Sequence, residues 1–284
     1  MSGTLEKFKE DGLRGKSPLT IRTYLEALGK FEKWLKRAGT DLKGYSRMDV
    51  QHYLDQMRND EKSPATIHKY LNSIRSFSRW AKKERCIEDI RAVKMTDYRR
   101  IAPKAMSRTE CLRVMRESGR NDKLRDHAII MTLLHTGIRV RELVEANRSD
   151  LTISERMGRL RIRQGKGNKE RVLPVERETR RALRLYLNGR KDENPALFIS
   201  NRKERISIRA VQHVVKKFGS DLHPHKFRHT MITDLMRSGA DIALVCAISG
   251  HTTADMVLRY SQPTEEDMEC ALDKLYIERN TRPE

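Results

Sequence analysis

Apolar residues recur at helical spacing over much of the chain. Ile21, Tyr24, Leu25, Leu28, Phe31, Trp34 and Leu35 fall three or four residues apart, which puts them on one helix face. Ser17 and Pro18 stand ahead of them as an N-cap and a first-turn proline, and Gly39 ends the run. Ser46 with Asp49 opens a second helix, its apolar face Val50, Tyr53, Leu54 and Met57. Ser63-Pro64 opens a third, and here the chain echoes itself: Ser17, Pro18, Thr20, Ile21, Tyr24, Leu25, Phe31 and Trp34 recur as Ser63, Pro64, Thr66, Ile67, Tyr70, Leu71, Phe77 and Trp80. Two copies are too few for a solenoid. They predict two similar helices in a small bundle, aromatic faces inward and Arg22, Lys30, Lys69, Arg75, Arg79 and Lys82 outward. The first sixteen residues, polar and loosened by Gly12 and Gly15, read as a partly ordered arm.

Between Ile90 and Ala105 the pattern breaks into an irregular basic stretch with Arg99, Arg100, Pro103 and Lys104. A linker at 99–105 would therefore separate a helical domain at 1–98 from a second domain at 106–284. Ser107-x-x-Glu110 is a capping box at the second domain's entry. Arg125 to His135 is apolar on the side of Ile129, Ile130, Leu133 and Leu134, and Gly137 suits a left-handed cap. The period then becomes two: Leu160, Ile162 and Gln164, a turn at Gly165-Lys166-Gly167-Asn168-Lys169, and Val172, Leu173 and Val175 returning. That predicts a β-hairpin with a lysine at its tip. Helices resume at Glu178 to Leu187 and Ser207 to Phe218, and Glu265 to Ile277 places Met268, Ala271, Leu272 and Leu275 on one face. The expected class is mainly α with a small β-sheet or hairpin, an N-terminal helical bundle followed by an α+β domain.

The length of 284 residues agrees with two domains. A net charge of +20 and a pI near 10.0 favour a polyanionic partner, of which nucleic acid is the simplest. A membrane surface competes, but no apolar run reaches spanning length and no signal peptide opens the chain, so a soluble intracellular protein is expected. Cys86, Cys111, Cys246 and Cys270 form no Cys-x-x-Cys pair, which fits a reducing compartment. The glycines around Lys166 lack the Gly-Lys-Ser/Thr ending of a nucleotide loop, so ATP is not implied.

Candidate chemistry concentrates between His223 and Tyr260. His225 and Arg228, at i and i+3, can grip a phosphate from one helix face. His251 follows Gly250, and Tyr260 brings a nucleophilic hydroxyl a short stretch later. Upstream, Arg139 sits at a helix-to-helix corner, with Glu142 one turn on to hold it. Together they suggest phosphoryl transfer to tyrosine. Zinc on His223, His225 and His229 is the competing reading, opposed by Lys226 and Arg228 and by the lack of an accompanying Glu or Cys. A tyrosine by itself is more often a half-buried core residue. The combination is what carries the inference.

Thr136-Gly137-Ile138-Arg139-x-x-Glu142-Leu143, Gly165-Lys166-Gly167-Asn168-Lys169-Glu170-Arg171, His225-x-x-Arg228-His229, Gly250-His251 and Tyr260 resemble, in order and spacing, the signature of the tyrosine site-specific recombinases, the lambda-integrase family. The bundle is similar to that family's core-binding domain. The resemblance implies that Tyr260 cuts DNA to leave a 3′-phosphotyrosyl link, while Arg139 and Arg228 meet charge on the nonbridging oxygens. It further implies that Lys166 protonates the leaving 5′-oxygen, His225 assists deprotonation of Tyr260 and His251 donates to a phosphate oxygen, with Glu142 and His229 in support. No metal, cofactor or ATP is implied. Ile138 and Ser249 stand where the family usually has leucine, and both are expected only to pack. Arg22, Lys69, Arg75, Arg79, Arg99, Arg100, Arg141 and Lys169 are the expected DNA contacts, mostly to phosphates.

The implied partner is double-stranded DNA with paired inverted half-sites. A homotetramer on two sites would exchange strands through a Holliday junction, and a tail helix at 264–277 would dock on the neighbouring subunit or, in the blander alternative, on its own domain. Size and the lack of an arm domain are similar to Xer-type recombinases or compact transposon-encoded resolvases of the TnpI type. The expected task is resolution of transposon cointegrates, with phage-type integration or Xer-type dimer resolution as alternatives, in the cytoplasm of a prokaryotic host and associated with the nucleoid. A type IB topoisomerase would share the chemistry, and a noncatalytic DNA-binding regulator would leave the tyrosine, arginines, histidines and lysine unexplained.

Overall fold

The chain divides into two units, Met1–Asp97 and Tyr98–Glu284. The computed structural model describes residues 2–91, 104–120, 123–163 and 170–261, together with Met268, Glu269 and Leu272. The first unit contains α1 (Gly3–Lys7), a π-helical turn (Phe8–Gly12), α2 (Pro18–Arg37), α3 (Arg47–Asn59), α4 (Pro64–Trp80) and a 3-10 turn (Glu84–Ile87). The repeated Ser-Pro openings give α2 and α4 matching starts: Ser17 Oγ accepts the Thr20 N–H at 3.1 Å, and Ser63 Oγ accepts the Thr66 N–H at 3.3 Å. Inside, Tyr45 stands edge-on to Phe31, ring centroids 5.5 Å apart, and its hydroxyl lies 2.7 Å from Ser78 Oγ. That bond satisfies two polar groups that burial would otherwise penalise.

The amino-terminal residues differ from the expectation of a partly ordered arm. Leu5, Phe8 and Leu13 are fully buried, and the Phe8 ring packs against Phe77 and Trp80, each at 5.3 Å. Side chains of this size each stabilise by about 1.5–3 kcal/mol when buried, enough to outweigh the polar composition around them. Gly12 is required by that packing, since a Cβ there would lie 2.4 Å from the Phe8 ring.

In the second unit the Ser107 N–H and Oγ bond reciprocally with Glu110 and open α5 (Arg108–Arg120). Next come α6 (Leu124–Thr136) and α7 (Val140–Glu145), then a sheet of β1 (Leu151–Ile153), β2 (Gly158–Ile162) and β3 (Arg171–Pro174), antiparallel in the order β1-β2-β3. Leu160 pairs with Leu173, and Leu160, Ile162, Leu173 and Val175 face the core while Val172 is exposed, as a period of two demands. The turn at 164–169 lies outside the described residues, as does the linker up to 103. After the sheet come α8 (Arg177–Asn188), α9 (Ile208–Lys216), α10 (Pro224–Arg237), α11 (Ile242–Ser249) and α12 (Asp255–Leu258). Helix α6 is central, with α5, α8, α9 and α10 packed around it. Met231, Ile232, Val245, Val257 and Tyr260 form a separate small core among α10, α11 and α12.

Candidate active site

Two left-handed glycines position the charged groups. Helix α6 ends at Gly137, φ +57°, and α11 ends at Gly250, φ +65°. Beyond Gly137 the chain turns so that Arg139 caps α7. Its N–H donates to Glu142 Oε2 at 2.9 Å and its Nη1 to Glu142 Oε1 at 2.8 Å. Arg171, the first residue of β3, donates to the same carboxylate through both Nη atoms, at 3.0 and 2.8 Å. Burial alone would raise the Glu142 pKa, but the hydrogen bonds from Arg171 and Arg139 outweigh it and hold the carboxyl below its ordinary value.

Successive carbonyls at the end of α11 each receive an arginine. Ile248 O accepts from Arg171 Nε at 3.2 Å, Ser249 O from Arg228 Nη2, and Gly250 O from Arg139 Nη2 at 2.9 Å. A helix C-terminus carries partial negative charge and unpaired carbonyls, so it is a natural seat for guanidinium groups. Arg228 also donates Nη1 to Gly137 O at 2.7 Å, tying the end of α6 to the end of α11. Only 3% exposed, it is lowered to about 10 by burial and by Arg139, and so stays charged at neutral pH.

Helix α10 begins with His223, whose Nδ1 accepts the Lys226 N–H at 3.2 Å, and with Pro224 in its first turn. His225 is exposed on that turn. Lys226 reaches Asp221 at 2.6 Å and Glu110 at 3.6 Å. His251, beyond Gly250, has Nδ1 3.0 Å from Ser249 Oγ and Nε2 3.3 Å from Arg228 Nη2. Burial, then Arg228 and Arg139, push its pKa down to about 4.

Tyr260 follows α12 and is buried. Its ring lies over that of His251, centroids 6.2 Å apart, and its hydroxyl is 2.7 Å from His229 Nδ1. Burial raises the hydroxyl's pKa, with Arg228 and Arg259 pulling the other way.

The structure thus brings together Arg139, Glu142, Arg228, His229, His251 and Tyr260. The partner of the Tyr260 hydroxyl is His229 rather than His225, whose ring lies 6.4 Å from that of His229. Lys166 lies outside the described residues, with Lys169, Arg99 and Arg100. Of the other expected DNA contacts, Arg22, Lys69, Arg79 and Arg141 are exposed and Arg75 is half-buried. Arg22 pairs with Glu26 at 2.8 Å and Arg141 with Glu145 at 2.9 Å.

Sequence reasoning gave Arg171 no role, although it stands in the motif that carries Lys166. Ser249 corrects the expectation that it only packs: it is fully buried, and its hydroxyl bonds the His251 ring. A polar residue at a position where apolar ones are usual was the signal.

The chain matches the Phage integrase family over residues 104–267 and the Phage integrase, N-terminal SAM-like domain over residues 6–85. The tyrosine recombinase XerC of Myxococcus xanthus is 30% identical over 297 residues, which span 97% of this chain and 98% of the relative. The tyrosine recombinase XerA of Thermococcus kodakarensis is 29% identical over 269 residues, 92% of this chain and 91% of the relative. Among solved structures, the XerH site-specific recombinase bound to palindromic difH substrate, a post-cleavage complex, shares the fold with a TM-score of 0.76 at 19% identity, over 94% of this chain and 83% of that one. With both of its units matched and the motif residues gathered around one helix end, the chain belongs to the phage integrase family, the tyrosine site-specific recombinases of the lambda-integrase type.

Proposed function

We propose that this chain cuts and rejoins duplex DNA at defined sites, with Tyr260 as the nucleophile. The observation that supports this most is the gathering of two anchored guanidinium groups, Arg139 and Arg228, with His251 and the Tyr260 ring around the C-terminus of α11. In the cut, the Tyr260 hydroxyl gives up its proton to a histidine of the site as Oη bonds to phosphorus, the bond from phosphorus to the 5′-oxygen breaks, and Lys166 protonates the departing oxygen. Charge gathering on the nonbridging oxygens is met by Arg139 and Arg228, whose planar forks have N–H groups beyond those already bonded. Their anchors hold them in place before DNA arrives, which reduces reorganisation in the transition state. With DNA bound, His251 donates Nε2–H to a phosphate oxygen in place of its contact with Arg228 while Nδ1 accepts from Ser249 Oγ. His225, three residues before Arg228 on α10, is the histidine to which the family resemblance gives the deprotonation of Tyr260. Glu142 positions Arg139. The phosphotyrosyl link conserves the bond energy, so rejoining is the same reaction reversed and consumes no ATP.

Basic side chains position the duplex, Arg22, Lys69, Arg75, Arg79 and Arg141 among the described residues and Arg99, Arg100 and Lys169 outside them. The linker role is assigned to 99–105. Four subunits on two sites with inverted half-sites exchange strands through a Holliday junction, tied together by the tail at 264–277. Exposure of Met268 and Leu272, 49% and 56%, supports a tail whose apolar face is covered by a neighbour. No helix among the described residues is long and apolar enough to cross a membrane, and the reading places the protein in a prokaryotic cytoplasm, on the nucleoid. Resolution of transposon cointegrates is the proposed task. An Xer-type role is the second reading, favoured by likeness to XerC and XerA relatives along nearly the whole chain.

The test is incubation with supercoiled plasmids that carry two candidate sites or none. Recombination should require the sites, whereas a topoisomerase would relax both plasmids. Tyr260→Phe removes only a hydroxyl, so folding and DNA binding should survive while the denaturation-resistant protein–DNA adduct disappears. An adduct formed by Tyr260→Phe would place the nucleophile elsewhere, with Tyr276 next in line.

A further inference from the structure

We infer that His229, the residue after Arg228 on α10, takes the proton from Tyr260 as its oxygen attacks and returns it on rejoining. This inference rests on the reading of Tyr260 as nucleophile and departs from the family-based expectation that His225 serves it. The Tyr260 hydroxyl and His229 Nδ1 are 2.7 Å apart, a hydrogen bond in which the hydroxyl donates when the ring carries its proton on Nε2. Among the described residues His229 is the hydroxyl's one hydrogen-bond partner. His251 lies against the flat of the Tyr260 ring, and its two nitrogens are engaged by Ser249 and Arg228. His225, in the first turn of α10, is itself exposed, between buried Pro224 and half-buried Lys226.

The electrostatics agree with this geometry. Buried Tyr260 has a raised pKa, so its hydroxyl needs an acceptor in order to attack. Burial, followed by Arg259, His225, His223 and Arg228, pushes His229 down to about 4, which leaves its ring neutral with a lone pair at neutral pH. An incoming phosphodiester anion offsets those cationic neighbours and lifts the imidazole back toward its ordinary range, where it is a better base. In the step itself the Oη–H bond breaks, the proton moves to Nδ1, and Oη bonds to phosphorus. The electron pair of the bond to the 5′-oxygen leaves with that oxygen, which takes its proton from the general acid. In rejoining, the 5′-hydroxyl returns its proton to the general acid as its oxygen bonds to phosphorus and displaces Oη, which recovers the proton from Nδ1–H.

His229→Asn separates a proton acceptor from a positioning contact, because the amide oxygen can still accept a hydrogen bond from the hydroxyl but is too weak a base to take its proton. On a nicked duplex carrying the site, single-turnover adduct formation by His229→Asn should fall by about 100-fold or more, with single-site DNA binding and melting temperature close to wild type. Placing 3,5-difluorotyrosine at position 260 makes the phenol more acidic, so the ratio of the rate with His229 intact to the rate of His229→Asn, each carrying the fluorinated residue, should shrink by about tenfold or more. His225→Asn should show no such narrowing. A rate for His229→Asn within about threefold of wild type, equal loss with natural and fluorinated tyrosine, or narrowing in His225→Asn instead would each overturn the assignment. Absence of any adduct at Tyr260 in the protein with His229 intact would instead overturn the parent reading.

Discussion

Glu142 is the residue on which two guanidinium groups depend, and its charge state should be visible in stability. Because Arg171 and Arg139 hold its folded pKa below the ordinary 4.5, it contributes stability that is fully present above 4.5 and is lost as pH falls through the lower folded value. Melting temperature should therefore drop on acidification below about pH 4.5, and Glu142→Gln should flatten that limb. At neutral pH the same substitution leaves Arg139 and Arg171 facing a neutral amide and should cost on the order of 3 kcal/mol. An unchanged acid limb in Glu142→Gln would remove Glu142 as its source. The sequence showed that Glu142 could hold Arg139, since the spacing is one helical turn. Arg171 was not visible, because it arrives from a strand 29 residues away. Ser249 was misread for a similar reason: the reversal at Gly250 is what turns His251 back onto the serine hydroxyl. Ser249→Ala removes one hydrogen bond worth about 1 kcal/mol, so adduct formation should slow by about fivefold with DNA binding intact. A rate equal to wild type would return Ser249 to a packing role.

At the scale of elements, local chemistry made the helix ends legible. Ser17-Pro18, Ser46 with Asp49, Ser63-Pro64 and Ser107 with Glu110 each specify a start through bonds their own side chains make, and the structure has those bonds. Elements defined by tertiary contact were harder to see. Helix α1 and the turn after it depend on Phe8 reaching Phe77 and Trp80, and β1 has only three residues, with too little alternation to register. Gly137 was legible as a left-handed cap, and the structure adds what it holds: its carbonyl accepts Arg228, and an added Cβ would fall 2.0 Å from Met231 Cε. Gly137→Ala should therefore cost about 1–3 kcal/mol through strain and the displaced methionine, and adduct formation should fall further as Arg228 loses its anchor. Gly29, inside α2 with open space where a Cβ would go, is the contrast, and Gly29→Ala should stabilise by about 0.5–1 kcal/mol. Thermal melting of both variants checks the pair, and a destabilised Gly29→Ala or a neutral Gly137→Ala would contradict the argument.

For the whole molecule, charge and periodicity disclosed a basic protein of two helical parts with a hairpin in the second, because +20 net charge and a break in the apolar pattern are properties of the chain itself. Oligomeric contacts leave a weaker trace, since an amphipathic stretch reads the same whether it covers its own domain or another subunit. The tail at 264–277 poses that choice. If Met268 and Leu272, both exposed, are covered by a neighbour, each DNA-bound protomer is tied to the next. Truncation after Pro263 should then leave single-site binding and melting temperature nearly unchanged, because the proposed phosphate contacts lie upstream. Cooperative filling of two half-sites and recombination should both fall. A tail that covered its own unit would, when removed, expose apolar surface and destabilise the monomer. Melting of the truncated protein beside band-shift titrations on one and two half-sites distinguishes the cases, and a large drop in melting temperature with weakened single-site binding would defeat the exchange between subunits.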